Sequence, residues 1–415
     1  MTGSANPRLR ALEAFPVQHE GQQCIALRDP AGFTDQIAVL PPLLLDLVSL
    51  FDGEHSIAQI QDVMRRRHGE APSADQIAAV VERFDRAGFL DSERFAARRL
   101  ALEDEFRRSP VRPASHAGGA YAGEPAELTA QIDAFFTGPD GPDHPESASA
   151  AARVSRSSGL SALIAPHIDF HRGGSTYGWA YKEILDRSDA DLYVILGTCH
   201  AGMADPFSVT LKPYDTPLGP VPVDREFYEA LAGRAGQDLL ASEPAHRREH
   251  SIEFQTVMLQ RLLGRRRPFT ILPVLASYLH EAIWRRGRPE DDARVPRFVE
   301  ALRDTIASSS RRVCLIAGVD LAHVGPRFGD ATPNTADSLA VVEAADRRML
   351  EPVVAADAGG FFASVAADGD ARRICGLSPI YTLLRLLPGS PGRLLRYTQW
   401  PDPEGAVTFC AVSYP

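Results

Sequence analysis

Three apolar runs organise the larger part of this chain, and each ends in side chains able to bind a metal or move a proton. Residues 160–165 lead into Pro166-His167-Ile168-Asp169-Phe170-His171-Arg172, residues 192–198 into Cys199-His200, and residues 313–319 into Asp320-Leu321-Ala322-His323. Runs of this length, bounded by Gly, Pro and charge, read as buried strands of an α/β sheet. Ligands of such sheets gather at the carboxyl ends of the strands, so the pattern predicts one site assembled from separate strands. A further segment opens at Glu249-His250-Ser251-Ile252-Glu253 and runs to Leu263. Its apolar spacing predicts a helix with His250 and Glu253 on one face, at i and i+3.

The first hundred residues carry a different pattern. Residues 25–28 and 36–39 read as short strands and 43–51 as an apolar helix. Ser56 caps a second helix over 57–67, and Ser73 opens a third that Gly88 stops. Three helices with short β pieces predict a winged-helix-like α+β domain over residues 1–100. Residues 101–113 are expected as a connector, and 114–415 as the α/β domain. The Gly, Pro, Ala and Ser content of 138–159 predicts a flexible surface insertion within it.

Charge and composition narrow the chemistry. The 415 residues have a formal net charge of -10, and residues 1–100 hold 11 Arg and no Lys against 14 Asp and Glu. Both values argue against nucleic acid as a partner, since phosphate binding needs a basic surface. Five scattered cysteines without CxxC spacing argue against a disulfide framework or a zinc ribbon and fit a reducing cytoplasm. No run approaches the roughly 20 apolar residues of a membrane helix, so no membrane partner is expected.

His167 and His200 are the first candidates for metal ligands, because each follows a strand that holds its backbone rigidly. Asp320 is a candidate to complete a two-histidine, one-carboxylate set of the kind associated with non-haem Fe(II), a turn or N-cap residue being the other reading. His250, His323 and Glu253 are candidates for acid–base work beside that set. Glu253 also suits a helix start, where the macrodipole favours a carboxylate. Asp169, His171 and Arg172 lie in the loop after His167, where substrate contact is one reading and ordinary loop polarity another. Cys199 should point away from His200 by strand alternation. The helix carries no HExxH, so a zincin-type protease is not indicated.

The same residues carry two family resemblances. Leu50-Phe51-Asp52-Gly53, Ser56-Ile57-Ala58-Gln59-Ile60 and the closing Ala87-Gly88-Phe89-Leu90 resemble the PqqD-like domain, a small peptide-binding winged helix. From about Ser115 onward the chain resembles the Memo family. The matching segments are His116-Ala117-Gly118 with Tyr121, Ala165-Pro166-His167, Leu196-Gly197-Thr198-Cys199-His200, Glu249-His250-Ser251-Ile252-Glu253, Val319-Asp320-Leu321-Ala322-His323 and Ile374-Cys375-Gly376-Leu377-Ser378-Pro379-Ile380. The resemblance implies a mixed sheet flanked by helices, like class III extradiol dioxygenases, with His167 and His200 as metal-site histidines and His250 as a further pocket histidine. It also implies a cysteine at the position of Ala322, where this chain has none. The cofactors expected are Fe(II), Cu or Zn. The partners expected are a peptide or protein substrate, a radical-SAM protein and an AMMECR-like protein. A metal-dependent oxidoreductase, a peptide-binding module with a vestigial metal site and a metal-dependent hydrolase remain as functions.

Overall fold

The computed structural model describes residues 6–143, 159–387 and 389–415. The chain divides into two units, one formed by Met1–Arg108 with Pro326–Asp330 and the other by Ser109–Gly325 with Ala331–Pro415.

In the smaller unit, strands β1 (Glu13–His19), β2 (Gln22–Arg28) and β3 (Ile37–Leu40) form an antiparallel sheet in that order. Helices α1 (Pro42–Val48), α2 (Ile57–His68), α3 (Ala74–Ala87) and α4 (Glu93–Arg108) follow. Ser56 and Ser73 each close a capping box, with Gln59 and Gln76 respectively. The reciprocal bonds satisfy N–H groups that a helix start leaves unpaired. Leu40, Phe51, Ile60, Met64, Ile77, Phe84 and Phe89 fill the core. Strand β1 carries no clear alternation and contains Pro16, which an edge strand tolerates. It is held by a hairpin whose turn residues Glu20 and Gly21 both have positive φ, 50° and 78°, the backbone that matches strand twist. Within 101–113, expected as a connector, helix α4 continues to Arg108, and Arg112 is wholly buried in the larger unit.

The larger unit begins with α5 (Pro125–Thr137). Then come β4 (Ala162–Ala165), α6 (Phe170–Arg187), β5 (Leu192–Thr198), β6 (Phe207–Val209), α7 (Arg225–Ala235) and α8 (His250–Leu263). They are followed by β7 (Thr270–Ala276), α9 (Leu279–Trp284), α10 (Arg294–Ser308), β8 (Val313–Gly318) and β9 (His323–Val324). The chain closes with α11 (Ala336–Val354), α12 (Ala358–Ala366), α13 (Leu377–Leu386), β10 (Arg393–Trp400) and β11 (Ala406–Tyr414). The sheet order is β10-β11-β4-β8-β5-β7-β6, with β9 paired to β11. Strands β4, β8, β5 and β7 are parallel, and β11, β10 and β6 join antiparallel. The sheet is therefore mixed, with helices on both faces. Along β5, Leu192, Val194 and Leu196 face one core with Phe298 and Leu302 of α10, while Tyr193 and Ile195 face the other with Phe254 and Leu259 of α8. Burial on both faces explains why these strands read as continuous apolar runs.

Of the segment 138–159, residues 144–158 lie outside the described residues. Its first part is packed rather than free, since Trp179 and Arg396 both donate to the Asp140 carbonyl.

Candidate metal centre

The carboxyl ends of β4, β5 and β8 lie side by side in the parallel part of the sheet. His167 and His200 each follow their strand by two residues, and His250 opens α8 across from them. The ring centroids of His167 and His200 are 4.9 Å apart, those of His167 and His250 5.0 Å, and those of His200 and His250 4.5 Å. One ring nitrogen from each histidine lies within 4.8 Å of the other two. Two nitrogens each about 2.1 Å from one tetrahedral ion sit roughly 3.4 Å apart, so modest ring rotations bring this set to coordination distance.

Hydrogen bonds decide which nitrogen each ring offers. The Nδ1 of His167 lies 3.0 Å from the Gly318 carbonyl, so it donates there and leaves Nε2 as the unprotonated nitrogen. The Nδ1 of His200 lies 3.0 Å from the Glu249 carboxylate, and the Nδ1 of His250 lies 3.4 Å from the same group. Glu249 thus orients His200 and lies beside His250. Such carboxylate–histidine pairs fix the ring and raise its basicity as a ligand. Burial pushes the Glu249 carboxyl up, but His200 and His250 outweigh it and hold the group well below its usual range. Burial, together with the neighbouring His200 and His250, holds His167 well below its ordinary value. His250 is lowered to about 3, by desolvation first and His200 next. His167 and His250 are therefore neutral at pH 7, which is the state that binds metal.

Asp320 is brought to the same place in a supporting position. Its Oδ1 accepts the His167 backbone N–H at 3.0 Å, and its Oδ2 lies 3.8 Å from His167 Nε2. Burial raises it to about 7. His323 stands on β9 with Nδ1 3.1 Å from the Leu321 carbonyl, lowered to about 4 mainly by burial. It lies outside the group of three. Glu253 is not brought to the pocket at all. Its fully buried carboxylate pairs with Arg112 and accepts from Tyr121 Oη at 2.5 Å and the His116 N–H at 3.0 Å. Glu253, a candidate for acid–base work, closes a buried network behind α8. Asp169 caps α6 through the Arg172 N–H and pairs with the Arg172 side chain at 2.6 Å.

The sequence reading did not single out Cys375 as a site residue. Its Sγ lies 3.2 Å from His167 Nε2 and 3.6 Å from the Asp320 carbonyl. The thiol reaches this point because Gly376 lets the chain pass close beneath β8, where a Cβ would stand 2.6 Å from Val319 Cβ and 2.7 Å from the Asp320 carbonyl. No strand leads into Cys375, so apolar periodicity gave no signal. The motif containing it was the available clue. Ala322, where the resemblance implied a cysteine, is wholly buried in the hydrophobic core, and its N–H donates to Thr408 Oγ1 at 2.8 Å. A thiol there would enter the core. Cys199 is buried as strand alternation expected, and burial raises its thiol to about 12.

The Memo-like protein family model matches residues 112–415. The chain belongs to the Memo-like family. A MEMO1 family protein of Aquifex aeolicus is 27% identical over 403 residues, covering 96% of each chain. One from Thermus thermophilus is 26% identical and covers 82% of this chain and 93% of its own. One from Methanothermobacter thermautotrophicus is 28% identical and covers 71% of this chain and 95% of its own. The match to the Memo-like family model begins at Arg112, the residue buried behind α8.

Proposed function

We propose that this Memo-like protein holds a transition metal between His167, His200 and His250 and carries out metal-dependent redox chemistry in that pocket. The observation that carries the reading is the convergence of three imidazoles, with the Nδ1 atoms of His167 and His200 engaged by Gly318 and Glu249 and that of His250 beside the same carboxylate. The Cys375 thiol beside His167 adds a soft donor, which suits Cu or Zn as well as Fe(II). A bound ion supplies Lewis acidity and, for Fe or Cu, electron transfer. The chain's own groups orient the ligands through Glu249 and Asp320, and His323 is the nearby imidazole suited to proton handling. Hydrolysis in the same pocket needs the same ligands and differs only in the reaction assayed.

Metal analysis of untagged protein purified without chelator tests the reading. The expected result is about one equivalent of Fe, Cu or Zn, lost in His167→Ala and His200→Ala with the fold retained. Metal-free wild-type protein that takes up none of these ions on titration would overturn it.

A second reading concerns the smaller unit. Ile37 on edge strand β3 and Leu43 on α1 are 58% and 56% exposed. An open strand edge beside apolar side chains suits an extended peptide, in keeping with a peptide or protein substrate and with radical-SAM and AMMECR-like partners. Co-purification of those partners, lost in Ile37→Glu, is the expected result. Retention of binding by that variant would reject the edge as the docking surface.

A further inference from the structure

The peptide bond between Pro166 and His167 is gripped from both sides. Its N–H donates to Asp320 Oδ1 at 3.0 Å, and its carbonyl accepts from the side-chain amide of Gln255 at 2.8 Å. Gln255 lies one turn into α8 and is wholly buried. Its Nε2 also meets the Ser251 carbonyl at 3.2 Å, and its Oε1 accepts from Tyr181 Oη at 2.8 Å. The Pro166 and Ser251 carbonyls fix which end of the amide is which, since both can only accept, so the NH₂ must face them and Oε1 is left to accept from Tyr181. Room for the amide comes from Gly318. A Cβ there would stand 2.8 Å from Gln255 Nε2 and 2.4 Å from the Ser251 carbonyl. The same Gly318 offers the carbonyl that orients the His167 ring.

We infer that Gln255 is a positioning residue for His167: its amide, held by Tyr181, sets the Pro166–His167 peptide plane and so the direction of the imidazole. The inference rests on the metal-site reading. It assigns to α8 control of all three histidines, because the helix carries His250 itself, holds His200 through Glu249 and holds His167 through Gln255. A glutamine on a fully buried helix face otherwise has little reason to be there, since an apolar residue of the same length fills the space without a desolvation cost.

Co(II) titration of the metal-free protein tests it, because the visible bands of Co(II) report ligand geometry and its affinity reports ligand placement. Gln255→Met keeps the volume and removes the donor. The expected result is a 10- to 100-fold weaker affinity, the range for losing an outer-shell partner, with shifted visible bands. Thr256→Val is the control, since Thr256 Oγ1 is equally buried but donates to the Ile252 carbonyl of its own helix. It should lower thermal stability without moving affinity or spectrum. Wild-type affinity and bands in Gln255→Met overturn the positioning role while leaving the metal site standing. A wild-type protein that binds no Co(II), Fe, Cu or Zn overturns both. If Gln255→Met does not fold, Tyr181→Phe removes one hydroxyl from the amide. A weaker affinity with shifted bands then supports the inference, and an unchanged spectrum and affinity overturn it.

Discussion

Replacing Glu249 by glutamine tests how the site is held together. The carboxylate is 3% exposed and faces several donors. Oε2 accepts the His200 backbone N–H at 2.9 Å, Oε1 accepts the Ser251 N–H at 2.9 Å, and His200 Nδ1 lies within 3.1 Å of both oxygens. His250 Nδ1 stands 3.4 Å away. Glutamine has the same shape but one acceptor oxygen, so its NH₂ must face at least one of these N–H groups. That leaves a buried donor unpaired, at a cost of about 1–3 kcal/mol in stability. The larger consequence is for metal, because two ligand rings lose the anion that fixes their tautomer and raises their basicity. A fall of about 10- to 100-fold in affinity is expected, equivalent to about 1.4–2.8 kcal/mol. Competition against a chromophoric chelator, with a thermal melt of both metal-free proteins, reads the two effects separately. Wild-type affinity in a folded Glu249→Gln protein would refute the argument that this carboxylate organises the histidines.

Arg112→Met should destabilise the protein by about 3–5 kcal/mol, because it leaves Glu253 charged and buried without its partner; urea unfolding that shows under 1 kcal/mol would reject this. Glu253→Gln should leave metal affinity within about twofold of wild type in whatever fraction folds, since the carboxylate does not reach the pocket, and a loss like that of Glu249→Gln would restore it to the site. Cys375→Ser should abolish the thiolate-to-cobalt charge-transfer band near His167 while His-based binding persists at lower affinity, and an unchanged spectrum would place the sulfur outside the coordination sphere. His246, buried between Tyr214 and the Ser208 carbonyl, is lowered to about 3, with desolvation the main cause. Its folded value lies below the ordinary 6.5, so the unfolded chain binds the proton more readily. Its stabilisation is full above about pH 6.5 and falls by about 1.4 kcal/mol per unit as pH drops toward 3. His246→Asn should flatten the pH dependence of the urea midpoint between pH 6.5 and 4.5 by that slope, and equal slopes would show that His246 is not neutral in the fold.

Local patterns in the chain specify the elements on which the pocket is built. Apolar runs ending in His167, His200 and Asp320 mark strands buried on both faces, because only such strands lack alternation. The spacing after Glu249 marks a helix, because its pattern has a period near 3.6. Capping chemistry at Ser56 and Ser73 is equally local, since a cap acts within one turn. Packing between distant segments sets the rest. Which strands lie side by side, β4 against β8 and β8 against β5, depends on the whole sheet, and that order alone brings His167 to His200. The role of a buried polar residue depends on what stands opposite it. Glu253 and Glu249 are four residues apart on one helix start, yet Arg112 draws the first into a structural network while His200 and His250 draw the second into the site. Cys375 is 208 residues from His167 and enters the pocket only because Gly376 permits a close approach beneath β8. No periodicity records a contact of that kind, because it is fixed by packing between segments rather than by the conformation of either one.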